Sequence, residues 1–289
     1  MNTKPLIALF ITLALVSMAC GITIDVPVTQ IKTGATVEEN IRIALPDNAQ
    51  QTTSLSLTFG AGELKLHAGD ANELVSGLAT YNVSDFKPRI TASGNNAQIE
   101  QGNLNIRGIP NFDKNIKNVW DLGLGTSPIS LVIKAGAYNG KYELGGLAIK
   151  DLEISDGASE VEVSFSEPNL VEMGTFQYTT GASSVKLRDL LNANFINMYF
   201  RSGAGSYTFD FSGEAQLDSV VTIESGISNV EIIVSEGTNA VVKFSGGLSN
   251  VDADGNWIKN GSTYTHPGSG PTLRFNIQMG AGNIELTTR

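Results

Sequence analysis

Few side chains in this 289-residue sequence are equipped for chemistry. There are two histidines, His67 and His266, and one cysteine, Cys20. His67 follows a strand-like alternation in GELKLHAG, and His266 stands before Pro267 in a polar stretch. Neither has a carboxylate or a second histidine at ligand spacing, so each reads as a surface histidine. Asp252-Ala-Asp254-Gly-Asn256 offers oxygen donors at positions 1, 3 and 5 of a calcium-loop pattern. That pattern also needs glycine at 6 and an acid at 12, where this chain has Trp257 and Thr263. The stretch therefore reads as a turn. No catalytic residue, metal ligand or cofactor is expected.

Other reactive arrangements fail for stated reasons. A serine nucleophile needs a partnered histidine, which is not visible. GAGELKL and GAGSYTF look like phosphate loops but precede strands, so no helix N-terminus is there to hold the anion. Glycoside hydrolysis needs two carboxylates at a defined separation. The candidates lie in one column, five positions after a recurring glycine: Lys65, Ser130, Glu162, Lys186, Thr208, Glu231, Asp252 and Glu285. The column mixes signs, as a solvated face with cross-strand charge pairing would.

That recurring glycine defines the elements that must carry everything else. A phrase Gly-x-(Ser/Gly)-x-apolar-x-apolar begins at Gly60, Gly125, Gly157, Gly181, Gly203, Gly226, Gly247 and Gly280. From Gly157 to Gly247 the period holds at 21 to 24 residues, as in stacked repeat architectures. Five and three positions before each glycine the residues are apolar, as in Phe176/Tyr178 and Met198/Phe200. Four and six positions after it they are nearly always apolar too, as in Val185/Leu187 and Tyr207/Phe209. Period-two alternation means strands with one buried face. Each unit is thus strand, glycine corner, strand and a variable return. The glycine is expected for a backbone angle that a side chain resists. The fold class is all-β, a β-solenoid of right-handed β-helix type with coils of 21–24 residues.

Residues 1–20 hold Lys4, an apolar run from Leu6 to Val16, and Ser17-Met18-Ala19-Cys20. The run is short for a membrane span and has the layout of a signal peptide. It resembles a bacterial lipoprotein signal, with Cys20 as the lipidated residue, although Ser17 departs from the usual leucine. A lone cysteine just after such a leader is better explained by acylation than by catalysis. Four regions follow: a lipoprotein signal over 1–20, a tether and first strand over 21–53, an N-terminal part over 54–119, and regular repeats over 120–289 with an insertion at 252–271. Thr36 to Leu45 is the expected first strand.

Without the leader the chain has 18 Lys+Arg against 29 Asp+Glu, since 19 − 1 = 18, for a net charge of −11. That balance disfavours nucleic acid and charge-driven docking on anionic lipid.

LSLTFGAGELKLHAGDANELVSGLATYN near the start and LRFNIQMGAGNIEL at the end resemble bacterial toast-rack domains. These include the N-terminal toast-rack module and the C-terminal domain of cell-wall-active antibiotic response proteins. The resemblance covers most of residues 54–289 and implies an all-β, solenoid-type domain facing outward from a bacterial membrane. Relatives are associated with envelope-stress sensing or described as adhesins, and the family offers no catalytic residues. This chain lacks the transmembrane helix bundle of the stress-response type; lipid on Cys20 would take its place.

The expected function is a non-enzymatic, lipid-anchored extracytoplasmic module of the bacterial cell envelope that adheres or senses. Its partners would be the membrane, through Cys20, and a cell-envelope protein or glycan. Trp257 and Tyr264, aromatics among Gly, Asn and Ser in the insertion, are the candidate contact residues. The alternative is a carbohydrate-active enzyme on a β-helix, which requires acids or bases converging from adjacent coils.

Overall fold

The computed structural model describes residues 28–102, 109–111 and 115–289. Residues 1–20, with Cys20, and the first part of the tether lie outside them. Among the described residues the regular structure is eighteen strands and two 3-10 turns, Ser84–Phe86 and Leu190–Ala193, with no α-helix.

The first strands are β1 (Val28–Gln30), β2 (Val37–Ala44), β3 (Thr53–Ala68), β4 (Glu73–Tyr81), β5 (Pro88–Ser93) and β6 (Asn96–Gln101). Then come β7 (Ile109–Asn111), β8 (Asn118–Leu124), β9 (Ile129–Glu143), β10 (Ile149–Ser155), β11 (Ala158–Ser164) and β12 (Met173–Arg188). The chain ends with β13 (Phe195–Phe211), β14 (Ser219–Val234), β15 (Thr238–Ala253), β16 (Ile258–Asn260), β17 (Thr263–His266) and β18 (Ser269–Thr288). β2 falls on the strand expected over Thr36 to Leu45, although β1 precedes it. β1 and β7 pair in parallel within a small unit of their own, Val28 opposite Ile109. All other strands belong to a second unit, Thr33–Leu104 with Asn115–Arg289.

The long strands of that second unit explain the repeat. Each is one continuous strand whose buried side switches phase at the glycine. In β13, Met198 and Phe200 are buried before Gly203, and Tyr207, Phe209 and Phe211 after it. From residue 198 to 200 and from 207 to 211 the step is two, and the step across the corner is odd. One extra residue at the corner lets both arms of a bent strand face the same core, as a bulge does. In the β10–β11 unit the same corner, Asp156-Gly157, separates two strands.

Strands pair in parallel and in register across β12, β13, β14, β18 and β15, in that spatial order. The C-terminal strand β18 is therefore inserted between β14 and β15, so chain order and spatial order part at the last two repeats. The corner glycines form a column: Gly60, Gly136, Gly157, Gly181, Gly203, Gly226, Gly280 and Gly247. A Cβ on Gly181 would lie 2.5 Å from the carbonyl oxygen of Gly157, and one on Gly226 would lie 2.5 Å from that of Gly203. These corner residues do not have positive φ. Glycine is required because neighbouring backbones approach closely, not because of the backbone angle expected from sequence.

Gly125 is a further correction. It lies just past β8, donates its N–H to the Leu74 carbonyl at 3.0 Å and stands outside the column. The column has Gly136 of β9 at that level instead. There the fourth position after the corner is Gly140 rather than an apolar residue, and the Tyr138 ring fills the vacated space: a Cβ on Gly140 would lie 2.9 Å from Tyr138 Cε2.

The core is aromatic along the stack. The Phe200 ring meets Tyr207 at 4.9 Å, Phe209 at 4.8 Å and Tyr178 at 5.4 Å between centroids, and Phe59 meets Trp120 at 5.1 Å. The Tyr178 pair is tilted and the others are edge-to-face; edge-to-face pairs add about 0.5–1.5 kcal/mol beyond area burial. Inside the corners runs a polar seam. Asp156 accepts hydrogen bonds from Tyr178 Oη (2.8 Å), Tyr138 Oη (3.3 Å) and Thr180 Oγ1, and Tyr142 Oη donates to Tyr138 Oη at 2.9 Å. Burial pushes all three tyrosine hydroxyls well above their ordinary range, so Tyr178 and Tyr138 remain proton donors to Asp156 and Tyr142 remains one to Tyr138.

The two ends of the stack are finished differently. At the β3 end, the first arm pairs with β6, itself paired with β5, and the second arm pairs with β8, followed by β4 and β2. At the β15 end, the antiparallel β16–β17 hairpin covers Ala240–Lys243 of the first arm.

Candidate functional site

Strand alternation turns every second residue of the second arms outward, and in-register pairing aligns them into rows. The row five residues after each corner reads Lys65, Lys141, Glu162, Lys186, Thr208, Glu231, Glu285 and Asp252. Lys141 stands where the sequence pointed to Ser130. Ser130 is instead on the first arm of β9, where its Oγ donates to Asp151 Oδ2 at 3.2 Å. The row three residues after each corner reads Glu63, Asn139, Glu160, Ser184, Ser206, Asn229, Asn283 and Asn250.

The face is therefore polarised. Towards β3 it carries Lys65, Lys141 and Lys186 around Glu162; towards β15 it carries Glu231, Glu285 and Asp252 on adjacent strands. Each part holds a shallow groove. One, of about 340 Å³, is lined by Glu63, Asn139, Lys141, Glu160, Glu162 and Lys186. The other, of about 360 Å³, is lined by Ser206, Thr208, Asn229, Glu231, Asn283 and Glu285.

Several of these polar groups are engaged with one another or with Arg188 and Arg289. Lys65 pairs with Glu63 at 3.3 Å, Arg188 with Glu162 at 2.9 Å, and Arg289 with Glu231 at 3.8 Å. Thr208 Oγ1 donates to Glu231 at 3.2 Å, Asn283 Nδ2 to Asn229 Oδ1 at 3.1 Å, and Asn250 Nδ2 to Asp252 Oδ2 at 2.8 Å. Exposed pairs of this sort contribute about 0–1 kcal/mol each. They organise the face more than they stabilise it. Asp252, Asp254 and Asn256 are all exposed, and the Asp254 N–H donates to the Leu286 carbonyl at 2.8 Å. Among the described residues, no group of three His, Cys, Asp or Glu side chains is placed to hold a metal ion.

His67 is exposed, with Nδ1 2.8 Å from the Ala68 carbonyl and Nε2 3.1 Å from Asp121 Oδ1. Both ring nitrogens are thus taken, leaving none to activate a nucleophile. The reading of His266 as a surface residue is corrected: it is 1% exposed, with Nδ1 2.7 Å from the Thr238 carbonyl and its ring 5.2 Å from that of Trp257. Tyr264 is corrected likewise. It is 4% exposed, opposite Val242 of β15, with Lys259 Nζ 5.3 Å from its ring centre. Trp257 is half-buried and Ile258 beside it is 62% exposed. The two-residue spacing of Tyr264 and His266, matching Val242 and Ala240 across β15, is the sequence signal of their inward direction. Cys20 lies outside the described residues.

Among the described residues, no helix is long and apolar enough to cross a membrane. No curated protein matches this chain. The crystal structure of a "putative cell adhesion protein" from Clostridium sporogenes ATCC 15579 is similar over 88% of this chain and 100% of that one, at 20% identity and a TM-score of 0.50. A "putative adhesin" from Bacteroides fragilis NCTC 9343 aligns over 89% of this chain and 99% of that one, at 10% identity and a TM-score of 0.34. A "putative lipid binding protein" from Parabacteroides distasonis ATCC 8503 aligns over 90% and 99%, at 10% identity and a TM-score of 0.34. The first of these supports the all-β fold. Residues 32–175 match the family described as the N-terminal domain of toast_rack, and this part of the chain belongs to that family.

Proposed function

We propose that this chain is a non-catalytic binding module, held on the extracytoplasmic side of a bacterial envelope by lipid on Cys20, that works as an adhesin or envelope sensor. We read its bent, in-register strands as the rungs of a solenoid. The observation that carries the proposal is the outer face of those rungs. Its carboxylates and cations lie in rows set by strand register, several of them paired with a neighbour, rather than converging on a reacting centre. The leader that ends at Cys20 supports the anchor. The family and the likeness to a cell adhesion protein support an outward-facing role. A glycan or a protein of the envelope suits a face of amides, hydroxyls and carboxylates. Trp257, with Ile258 beside it, is the aromatic contact of the insertion, without Tyr264.

The test compares the full chain with Cys20→Ser and Trp257→Ala in cross-linked capture from intact cells. The wild type is expected in the membrane fraction with a specific envelope partner. Cys20→Ser is expected in the soluble fraction, and Trp257→Ala with less of the partner. Turnover of any member of a polysaccharide panel by the purified chain would replace this reading with the enzymatic one.

A further inference from the structure

We infer that the outer edge of β15 from Gly246 to Ala253 is a docking edge for an extended partner segment carrying Lys or Arg at alternate positions. The inference rests on the binding-module reading and names the class of partner.

Three arms at the two ends of the stack are covered by further strands: both arms of β3, and the first arm of β15. For the second arm of β15, no described strand pairs with the side away from β18. Gly246, Gly247, Asn250, Asp252 and Ala253 are exposed there. The edge runs about 26 Å at the usual strand rise. Proteins normally blunt such edges with short strands, lysine or proline. The hairpin beside it has that protection, since β16 is three residues long and carries Lys259. Gly246–Ala253 contains neither lysine nor proline.

The backbone on this edge has a defined direction. The Asp254 N–H donates to Leu286 of β18. Strand alternation therefore points the Asn250 and Asp252 N–H groups to β18 and those of Val251 and Ala253 to the open side.

Charge selects the occupant. Glu231, Glu285 and Asp252 occupy adjacent strands in one row, with Arg289 near Glu231 only. Like charges directly opposite each other destabilise a sheet. An added strand bearing a cation in that row would relieve the repulsion. Its alternate residues would extend the inward line of Val251 and should be apolar. The fitting segment thus alternates Lys or Arg with β-branched apolar residues, and binds by strand addition.

The test uses the full chain in detergent and a labelled ten-residue peptide alternating Lys and Val, read by fluorescence anisotropy. Saturable binding is expected. Ala253→Pro, which removes an open-side N–H, and Asp252→Lys should each weaken it at least about tenfold, with unchanged circular dichroism. A peptide alternating Glu and Val should bind Asp252→Lys better than it binds the wild type. Equal affinity for a backbone N-methylated Lys/Val peptide would overturn strand addition. Binding unaffected by Ala253→Pro and by Asp252→Lys would overturn the site. Self-association abolished by Ala253→Pro would assign the edge to a second copy and overturn the basic partner. None of these results bears on whether Cys20 directs the chain to the membrane, so the anchoring reading is judged separately.

Discussion

Gly181 donates its N–H to the carbonyl oxygen of Gly157 at 3.1 Å, and a Cβ on Gly181 would sit 2.5 Å from that same oxygen. One atom thus joins neighbouring strands and forbids a side chain between them. Gly181→Ala must push the strands apart, at a cost of about 2–3 kcal/mol by comparison with other overpacked sites. A Cβ on Gly157 would lie 3.2 Å from the Gly136 oxygen, so Gly157→Ala needs only a small shift and should cost less than about 1.5 kcal/mol. Urea unfolding of the two variants checks the order. Equal costs would remove close approach as the reason for these glycines.

Phe200→Ala should cost about 3–5 kcal/mol, because the ring is fully buried against Tyr178, Tyr207 and Phe209. Ile227→Ala, at the exposed corner next to Gly226, should change stability by less than about 0.5 kcal/mol. Thermal melts of both variants provide the comparison.

Asp156 accepts from three hydroxyls, so Asp156→Asn sets an N–H donor against other donors. A loss of about 1–3 kcal/mol is expected. Tyr178→Phe, which leaves Asp156 its remaining donors, should cost about 1 kcal/mol. A stability for Asp156→Asn equal to wild type would show the seam to be incidental.

Asp189 gives a pH dependence. Burial, then the charges of Asp210 and Glu143, raise its carboxyl above the ordinary range. Its folded form holds a proton that the unfolded chain has lost, so stability falls as pH rises from the unfolded value through the raised folded one. Asp189→Asn should therefore stabilise the protein at neutral pH and make no difference well below the carboxylate range. The gain should stay under about 1 kcal/mol, since the side chain is only partly buried and solvent screens its charge. Asparagine also tolerates the left-handed backbone at this position, where φ is 54°. Glu143 has the opposite sign. Burial raises it, but hydrogen bonds from Ser164, Ser166 and Gly145 outweigh burial and lower it. Its contribution is present at neutral pH and is lost as pH falls through the folded value.

The sequence displayed the parts of this fold that depend on period-two alternation. Met198/Phe200 and Tyr207/Phe209 could be read as buried pairs because each lies on one side of a strand. Gly136 does not fit the phrase, because Gly140 stands where an apolar residue is demanded and the Tyr138 ring fills that space from two positions away. The seating of β18 between β14 and β15 is not legible in the sequence, because strand order does not follow from the spacing of the repeats. Tyr264 and His266 read as surface groups because their neighbours are polar, while their partners Val242 and Ala240 lie more than twenty residues earlier. The outward rows could be drawn from sequence. Their division into a lysine part and a carboxylate part became visible only once Lys141 replaced Ser130 and Glu285 fell between Glu231 and Asp252.

The most direct measurement is the intact mass of the N-terminal peptide of the chain recovered from bacterial membranes. The account predicts a mature chain that begins at Cys20 and carries acyl groups on that residue, with none on Cys20→Ser. An unacylated chain that begins elsewhere, or one retained in the cytoplasm with its leader intact, would contradict it.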